Sequence, residues 1–161
     1  MRSTSRPKDD FRMMKKRLVD YIKLNEEIDD EIERLDRLDD RMASLGGGQL
    51  SGMPKAASPA YDRMSDAVSR RIDLEKKINC LIVNRNAERA ALEALVDQLD
   101  VVRERTVIRS RYLDLEDWKD VLFVMFGRKD DFNDRYEMYT QKMFRYHRAA
   151  IGKLAMLQSR Q

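Results

Sequence analysis

The sequence predicts an all-α protein, in which a long antiparallel, coiled-coil-like helical hairpin is followed by a small helix-turn-helix domain. Three observations predict this fold class. Charged residues make up 38% of the chain, whereas it has only 6 glycines and 3 prolines, and this composition favours long helices over strands. Apolar residues recur mostly three and four positions apart, as on one face of a helix. Helix-breaking residues are concentrated in one stretch, residues 46 to 59.

The first predicted helix covers residues 9 to 45. Its apolar positions include Leu18, Ile28, Ile32 and Leu38, which share one face. This stripe is too narrow for the helix to be stable alone in water, so the helix requires a partner. Residues 24 to 43 hold nine acidic side chains against three arginines. The middle of the chain is therefore acidic, whereas its ends are basic.

Residues 46 to 59 are interpreted as a connector. The glycines of this stretch are not followed by Gly-Lys-Ser/Thr and no strand precedes them, so they do not match a phosphate-binding loop. Ser58 is expected to cap the next helix, and Pro59 fits its first turn.

The second predicted helix runs from Pro59 as far as Ile108. Its apolar stripe is interrupted at Arg85 and Asn86, and such a break either fixes the register between helices or marks a bend. This helix is the natural partner of the first, although pairing with a second chain would satisfy the same stripes. The predicted domains are residues 1–105, the two-helix hairpin, and residues 106–161, the helix-turn-helix domain.

Two further helices are predicted in the last third of the chain. Asp114 is expected to cap the first of them, and Gly127 is expected to end it in a left-handed conformation. The second lies between Met138 and Leu157, a segment without Asp or Glu, and Thr140 is its candidate cap. This order of helix, turn and basic helix is that of a helix-turn-helix.

The basic helix is amphipathic, with an apolar stripe on one face. Its opposite face carries Gln141, Lys142, Arg145 and Arg148. Gln pairs with adenine, Arg pairs with guanine, and Lys neutralises phosphate. The candidate DNA-binding residues are therefore Thr140, Gln141, Lys142, Arg145, Arg148 and Lys153. The alternative is that these charges only solvate the surface and complement the helix dipole.

Several residues of this region carry a resemblance to a known family. They are Arg111-Tyr112-Leu113, Trp118, Val121, Gly127 and Phe144-Arg145-Tyr146-His147, followed by Ala150, Ile151 and Leu154. With them, residues 105 to 157 resemble the C-terminal domain of phage-encoded transcriptional regulators of the ArpU/RinA type, which is similar to region four of bacterial sigma factors. The interval from Gly127 to His147 is longer than in the compact version of that domain. The resemblance implies binding of double-stranded DNA, activation of phage or prophage late genes, and host RNA polymerase as a partner.

The sequence thus predicts a sequence-specific DNA-binding transcriptional regulator that forms a homo-dimer or higher oligomer through its long helices. Two alternatives stay open: a phage DNA-packaging, small terminase-like subunit, and a helical protein–protein adaptor that does not bind DNA. An enzyme is not expected, because a chain with one histidine and one cysteine offers no catalytic constellation, metal site or cofactor site that the spacing supports.

The location expected for this chain is the cytoplasm of a bacterial host, with no membrane partner. Cys80 lies beside Ile78, Leu81 and Ile82 and is expected to be a small buried side chain. A single thiol forms no internal disulfide, so a reducing compartment is the simplest setting. The longest apolar run, residues 121 to 126, is far below the roughly 20 residues of a transmembrane helix.

Overall fold

The computed structural model describes residues 7–46 and 59–160, and every regular element in these ranges is helical. The elements are α1 (Pro7–Gly46), α2 (Pro59–Val96), α3 (Val102–Ile108), a π-helical turn (Arg109–Leu113), α4 (Trp118–Phe126) and α5 (Tyr136–Gln158). The predicted all-α fold class is confirmed. None of the helices in the described ranges combines the length and the hydrophobicity that crossing a bilayer demands.

Helices α1 and α2 run antiparallel within one chain. Ion pairs join them at three levels, and the residue numbers rise along α1 while they fall along α2. The pairs are Arg17–Glu88 (2.5 Å), Glu31–Lys77 (2.6 Å) and Asp39–Arg71 (2.8 Å). Helix α1 begins two residues before the predicted start and ends one residue after the predicted end, and α2 begins at Pro59, as predicted. The two helices therefore pair with each other within the chain, although Ile32 of the predicted α1 stripe remains 39% exposed.

The chain divides into two compact units. The first, here called the core unit, consists of residues 7–23 and 86–160; the second, the hairpin unit, consists of residues 24–46 and 59–85. One part of each long helix thus belongs to the core unit together with α3, α4 and α5. The predicted domain boundary near residue 105 falls inside the core unit. The predicted connector and the Ser58 cap lie outside the described residues.

The prediction that α2 continues to Ile108 is wrong. Helix α2 ends at Val96, and a tight turn precedes α3. No Gly or Pro marks this break; instead, tertiary contacts hold the turn. Leu99 is buried at 2% exposure, its carbonyl accepts a hydrogen bond from Arg105, and Asp97 pairs with Arg109. The chain turns at this point because the turn allows the Leu99 side chain to pack in the core.

The hydrophobic core of the core unit draws on every one of its helices. Its largest fully buried side chains include Met14, Leu18, Leu92, Ile108, Leu122, Met143, Ile151 and Leu154. Helix α5 contributes residues that are three and four positions apart, so one full face of it is covered. The apolar stripe predicted for this helix is therefore the face that anchors it.

Helix α4 begins later than predicted. Asp114 does not cap it; its N–H closes the π-helical turn by donating to the Arg109 carbonyl, and α4 begins at Trp118. Between them, Leu115 adopts a left-handed conformation with φ of 60°. This conformation costs a residue with a side chain roughly 1–2 kcal/mol. The reversal separates the π-helical turn from α4.

Gly127 ends α4 without the predicted left-handed conformation, since its φ is −58°. Glycine is needed at this position because a side chain would have no room. A Cβ at this position would lie 2.5 Å from the Phe123 carbonyl oxygen and 2.6 Å from the Phe123 ring. Gly127 therefore lets the chain leave α4 closely past the Phe123 side chain.

The hairpin unit has a thin interior. Only Ile28, Leu38 and Ile78 among its described apolar side chains are buried. Cys80, expected to be buried, is exposed, because its position on α2 points away from α1. The neighbouring Ile78 occupies the seam instead.

Candidate nucleic-acid interface

The polar face of α5, here defined as Gln141, Lys142, Arg145 and Arg148, is exposed along its whole length. Gln141, Arg145 and Arg148 are four and three residues apart, so they lie on one stripe of the helix. At 1.5 Å per residue the stripe is about 10 Å long, which matches about three base-pair steps of 3.4 Å. Its length and residue types suit contacts with neighbouring base edges and phosphates.

The polar face of α5 carries three cations, Lys142, Arg145 and Arg148. Among the described residues, Lys142, Arg145 and Arg148 form no ion pair. Other cations of the core unit do: Arg17 binds Glu88 and Arg89 binds Glu93. The nearest acid in sequence, Glu137, lies in the first turn of α5. The positive charge between Lys142 and Arg148 is therefore available to an external anion.

Lys153 is placed differently. Its ammonium donates to both carboxylate oxygens of Glu104, at 2.8 and 2.7 Å. The Glu104 side chain is only 6% exposed, whereas that of Lys153 is 46% exposed. Lys153 thus neutralises a buried carboxylate of α3, and we do not retain it as a phosphate contact.

Thr140 is not the cap of α5. The helix begins at Tyr136, and the Thr140 hydroxyl donates to the Tyr136 carbonyl at 2.9 Å. The extra turn forms because Tyr139 has partners in the core unit: its ring stacks on Phe126 at 4.9 Å, and its hydroxyl donates to Asp131 at 2.7 Å. Thr140 is half-buried inside the helix, which leaves Gln141 as the first exposed polar residue of the face.

An aromatic cluster holds α5 against α4 and the π-helical turn; we call it the aromatic buttress and define it as Tyr112, Trp118, Phe144 and His147. Trp118 lies 5.0 Å from the Phe144 ring and 4.9 Å from the His147 ring, centroid to centroid. The Tyr112 hydroxyl and His147 Nε2 are 2.9 Å apart. These contacts fix the rotation of α5 about its axis, and this rotation decides which side chains the polar face presents.

His147 is neutral at physiological pH. Burial is the largest cause that lowers its pKa from 6.5 to about 4, and the positive charges of Lys15 and Arg111 lower it further. A neutral ring with its proton on Nδ1 accepts the Tyr112 proton at Nε2. The sole histidine of the sequence is thus a hydrogen-bonded packing residue.

Two cations near the buttress were missed by the sequence reasoning. Arg111 lies over the Trp118 ring at 5.2 Å, and Lys15, an exposed residue of α1, is close enough to His147 to affect its pKa. A signal existed for Lys15, because residues 12 to 17 contain four cations and no acid. The fold adds the beginning of α1 to the basic surroundings of α5.

Within the described ranges, no group of three or more His, Cys, Asp or Glu side chains converges to hold a metal ion. Comparison with known proteins adds no constraint: no family, no curated protein and no solved structure matches the chain.

Proposed function

We propose that this chain is a sequence-specific, double-stranded-DNA-binding transcriptional regulator that contacts DNA with the polar face of α5. The observation that carries the proposal is a positive charge that no described acid pairs with, on an exposed stripe whose other residue, Gln141, is a base-reading type. Arg17 and Arg89, two other cations of the core unit, are instead paired with Glu88 and Glu93.

The packing of α5 supports the same proposal. A reading helix requires a fixed rotation and depth, because base contacts tolerate little displacement. The aromatic buttress and the buried stripe of α5 supply that rigidity. In this proposal Gln141, Arg145 and Arg148 contact base edges or phosphate, and Lys142 neutralises phosphate.

The resemblance to ArpU/RinA-type regulators supports a more specific proposal. The chain would activate phage or prophage late genes, with host RNA polymerase as a partner. The long helices would hold two or more copies together, so that several reading helices bind one operator. A packaging subunit would also bind DNA, and its distinguishing property is a ring of many chains.

The experiment is a selection of bound fragments from random duplexes, with the wild type, Arg145→Ala and the control Lys76→Ala. Lys76 is an exposed cation of the hairpin unit, so its loss changes net charge equally. We expect a defined motif for the wild type and the control, and its loss for Arg145→Ala. Binding that is equally weak, steeply salt-dependent and indifferent to sequence in all three proteins would contradict a reading role. The absence of DNA binding would favour the adaptor.

A further inference from the structure

The hairpin unit has a basic groove on one side of the α1–α2 seam. Its floor is apolar and includes Leu38, Met42 and Leu74, and its walls are charged. The walls carry five cations, Arg34, Arg41, Arg63, Arg70 and Lys77, against three carboxylates, which is a net charge of +2. Neither Arg41 nor Arg70 forms an ion pair among the described residues. The groove thus offers apolar surface framed by positive charge.

The other side of the same seam is acidic, and we call it the acidic face. Positions two apart on a helix differ by about 160° around its axis, so Asp36 lies opposite Leu38 on α1, and Ile72 lies opposite Arg70 on α2. Asp29 and Asp40 share the flank of Asp36 by spacings of seven and four. Among the described residues, these three aspartates form no ion pair.

Apolar side chains are exposed on the acidic face as well. Ile32, Val68 and Ile72 are 39%, 40% and 43% exposed. Two helices alone cannot cover both sides of their seam, and a third layer is the usual solution in helical bundles. The hairpin unit therefore has two opposite apolar faces with opposite charge.

We propose that copies of this chain associate through these two faces, with the acidic face of one copy seated in the basic groove of the next. Charge complementarity selects this arrangement. Contact between two basic grooves would oppose Arg41 and Arg70 to their own copies, whereas groove against acidic face opposes them to Asp36 and Asp40. The occupant of the groove is thus a second copy of the chain.

Such a contact joins two different surfaces, so each copy still has one free groove and one free acidic face. Contacts of this kind continue until a ring closes, or they extend as a filament, and they give more than two chains. This inference rests on the oligomer in the proposed function and specifies its geometry: an open row of copies along an operator fits the regulator, whereas a closed ring of many chains would favour the packaging subunit. It does not depend on DNA binding by α5.

The test uses two charge-reversal variants of the full-length chain. Variant one, Asp36→Arg/Asp40→Arg, makes the acidic face basic; variant two, Arg41→Glu/Arg70→Glu, makes the basic groove acidic. All four positions are exposed, so folding should persist, as far-UV circular dichroism will show. By light scattering after size exclusion, we expect the wild type to form trimers or larger assemblies. Each variant alone should associate at least about tenfold more weakly.

Mixing the two variants provides the decisive measurement. In a mixture, the basic face of variant one meets the acidic groove of variant two, and the two unaltered surfaces also match. We expect assembly to return in equimolar mixtures, with both chains present in each particle by native mass spectrometry. Asp130→Arg/Asp134→Arg and Arg128→Glu/Lys129→Glu are matched controls at exposed positions of the core unit, and they should assemble like the wild type.

Three outcomes would overturn the inference: a monomeric wild type, a dimer that variant one leaves intact, or a mixture that does not assemble. The dimer would indicate contact between two basic grooves. The monomer would indicate that a different, acidic protein occupies the groove. Binding of a single DNA half-site by variant one serves as the separate readout of α5. Loss of assembly with retained half-site binding, or the reverse, tells failure of one proposal from failure of the other.

Discussion

Replacing Lys153 by methionine tests whether this residue supports the fold or contacts DNA. In the structure its ammonium donates to both Glu104 carboxylate oxygens, at 2.8 and 2.7 Å, and the Glu104 side chain is 6% exposed. Lys153→Met keeps the length of the side chain and removes the charge. It leaves a buried carboxylate without its cation.

The expected loss of folding stability follows from the exposed fractions of the Glu104 and Lys153 side chains. Breaking a buried ion pair by removing one partner costs about 3–5 kcal/mol. Because the Lys153 side chain is 46% exposed, water reaches the site when the ammonium is gone, and solvent screening reduces the cost to about 2–3 kcal/mol. For a chain of this size, 1 kcal/mol lowers the melting temperature by about 2–4 °C, so we expect a decrease of about 4–12 °C.

The assay is urea and thermal denaturation of four proteins: the wild type, Lys153→Met, Lys142→Met and the double variant Glu104→Gln/Lys153→Met. The double variant should recover about 1 kcal/mol or more, because it removes the stranded charge together with its partner. Lys142→Met is the matched control, since Lys142 is exposed on the same helix. It should change the free energy of unfolding by less than about 0.5 kcal/mol.

The two lysine substitutions should have opposite effects on DNA binding: Lys142→Met should weaken it, whereas Lys153→Met should not. Lys142→Met should reduce the dependence of log K on log salt by about 0.9, the value of one phosphate contact, whereas Lys153→Met should leave it unchanged at a temperature where the variant is folded. If Lys153→Met unfolds with wild-type stability and loses a phosphate contact, our assignment of Lys153 is wrong.

Four other substitutions give further predictions. Arg145→Ala should weaken specific DNA binding by about 1–3 kcal/mol in a fluorescence-anisotropy titration, and equal affinity for wild type and variant would remove Arg145 from the interface. His147 has a pKa of about 4 in the folded chain and 6.5 in the unfolded chain, so the unfolded chain binds this proton more readily. The contribution of neutral His147 to stability is therefore fully present above pH 6.5 and is lost as the pH falls towards 4. Urea denaturation between pH 6.5 and 4 should show that the free energy of unfolding falls by at most about 3 kcal/mol, and by less with solvent screening. The His147→Gln variant should lack this pH-dependent decrease. An identical pH dependence in both proteins would refute the lowered pKa of His147. Gly127→Ala should destabilise by about 1–3 kcal/mol because its Cβ has no room, whereas Gly152→Ala, whose Cβ meets nothing within 4 Å, should stabilise by about 0.5–1 kcal/mol; thermal denaturation separates them, and equal shifts would contradict the packing argument.

The sequence alone predicted the helices in which apolar residues recur regularly at spacings of three and four. The apolar spacing placed α1 within two residues at each end, and the proline after the breaker-rich stretch marked the start of α2. The buried face of α5 and the exposure of Gln141, Lys142, Arg145 and Arg148 also followed from spacing, whereas the candidate Thr140 is half-buried. These features are local, because each depends on residues within one or two turns.

Tertiary structure alone decided three other features. The end of α2 depends on burial of Leu99, the early start of α5 depends on the packing of Tyr139, and the role of Lys153 depends on Glu104, which lies 49 residues earlier in the chain. A helical period shows that a lysine is on the outer part of a helix, but it does not show which distant carboxylate lies beside it. The sequence therefore determined which faces of the helices are apolar or charged, and the tertiary contacts decided which of the described charges are neutralised within the protein.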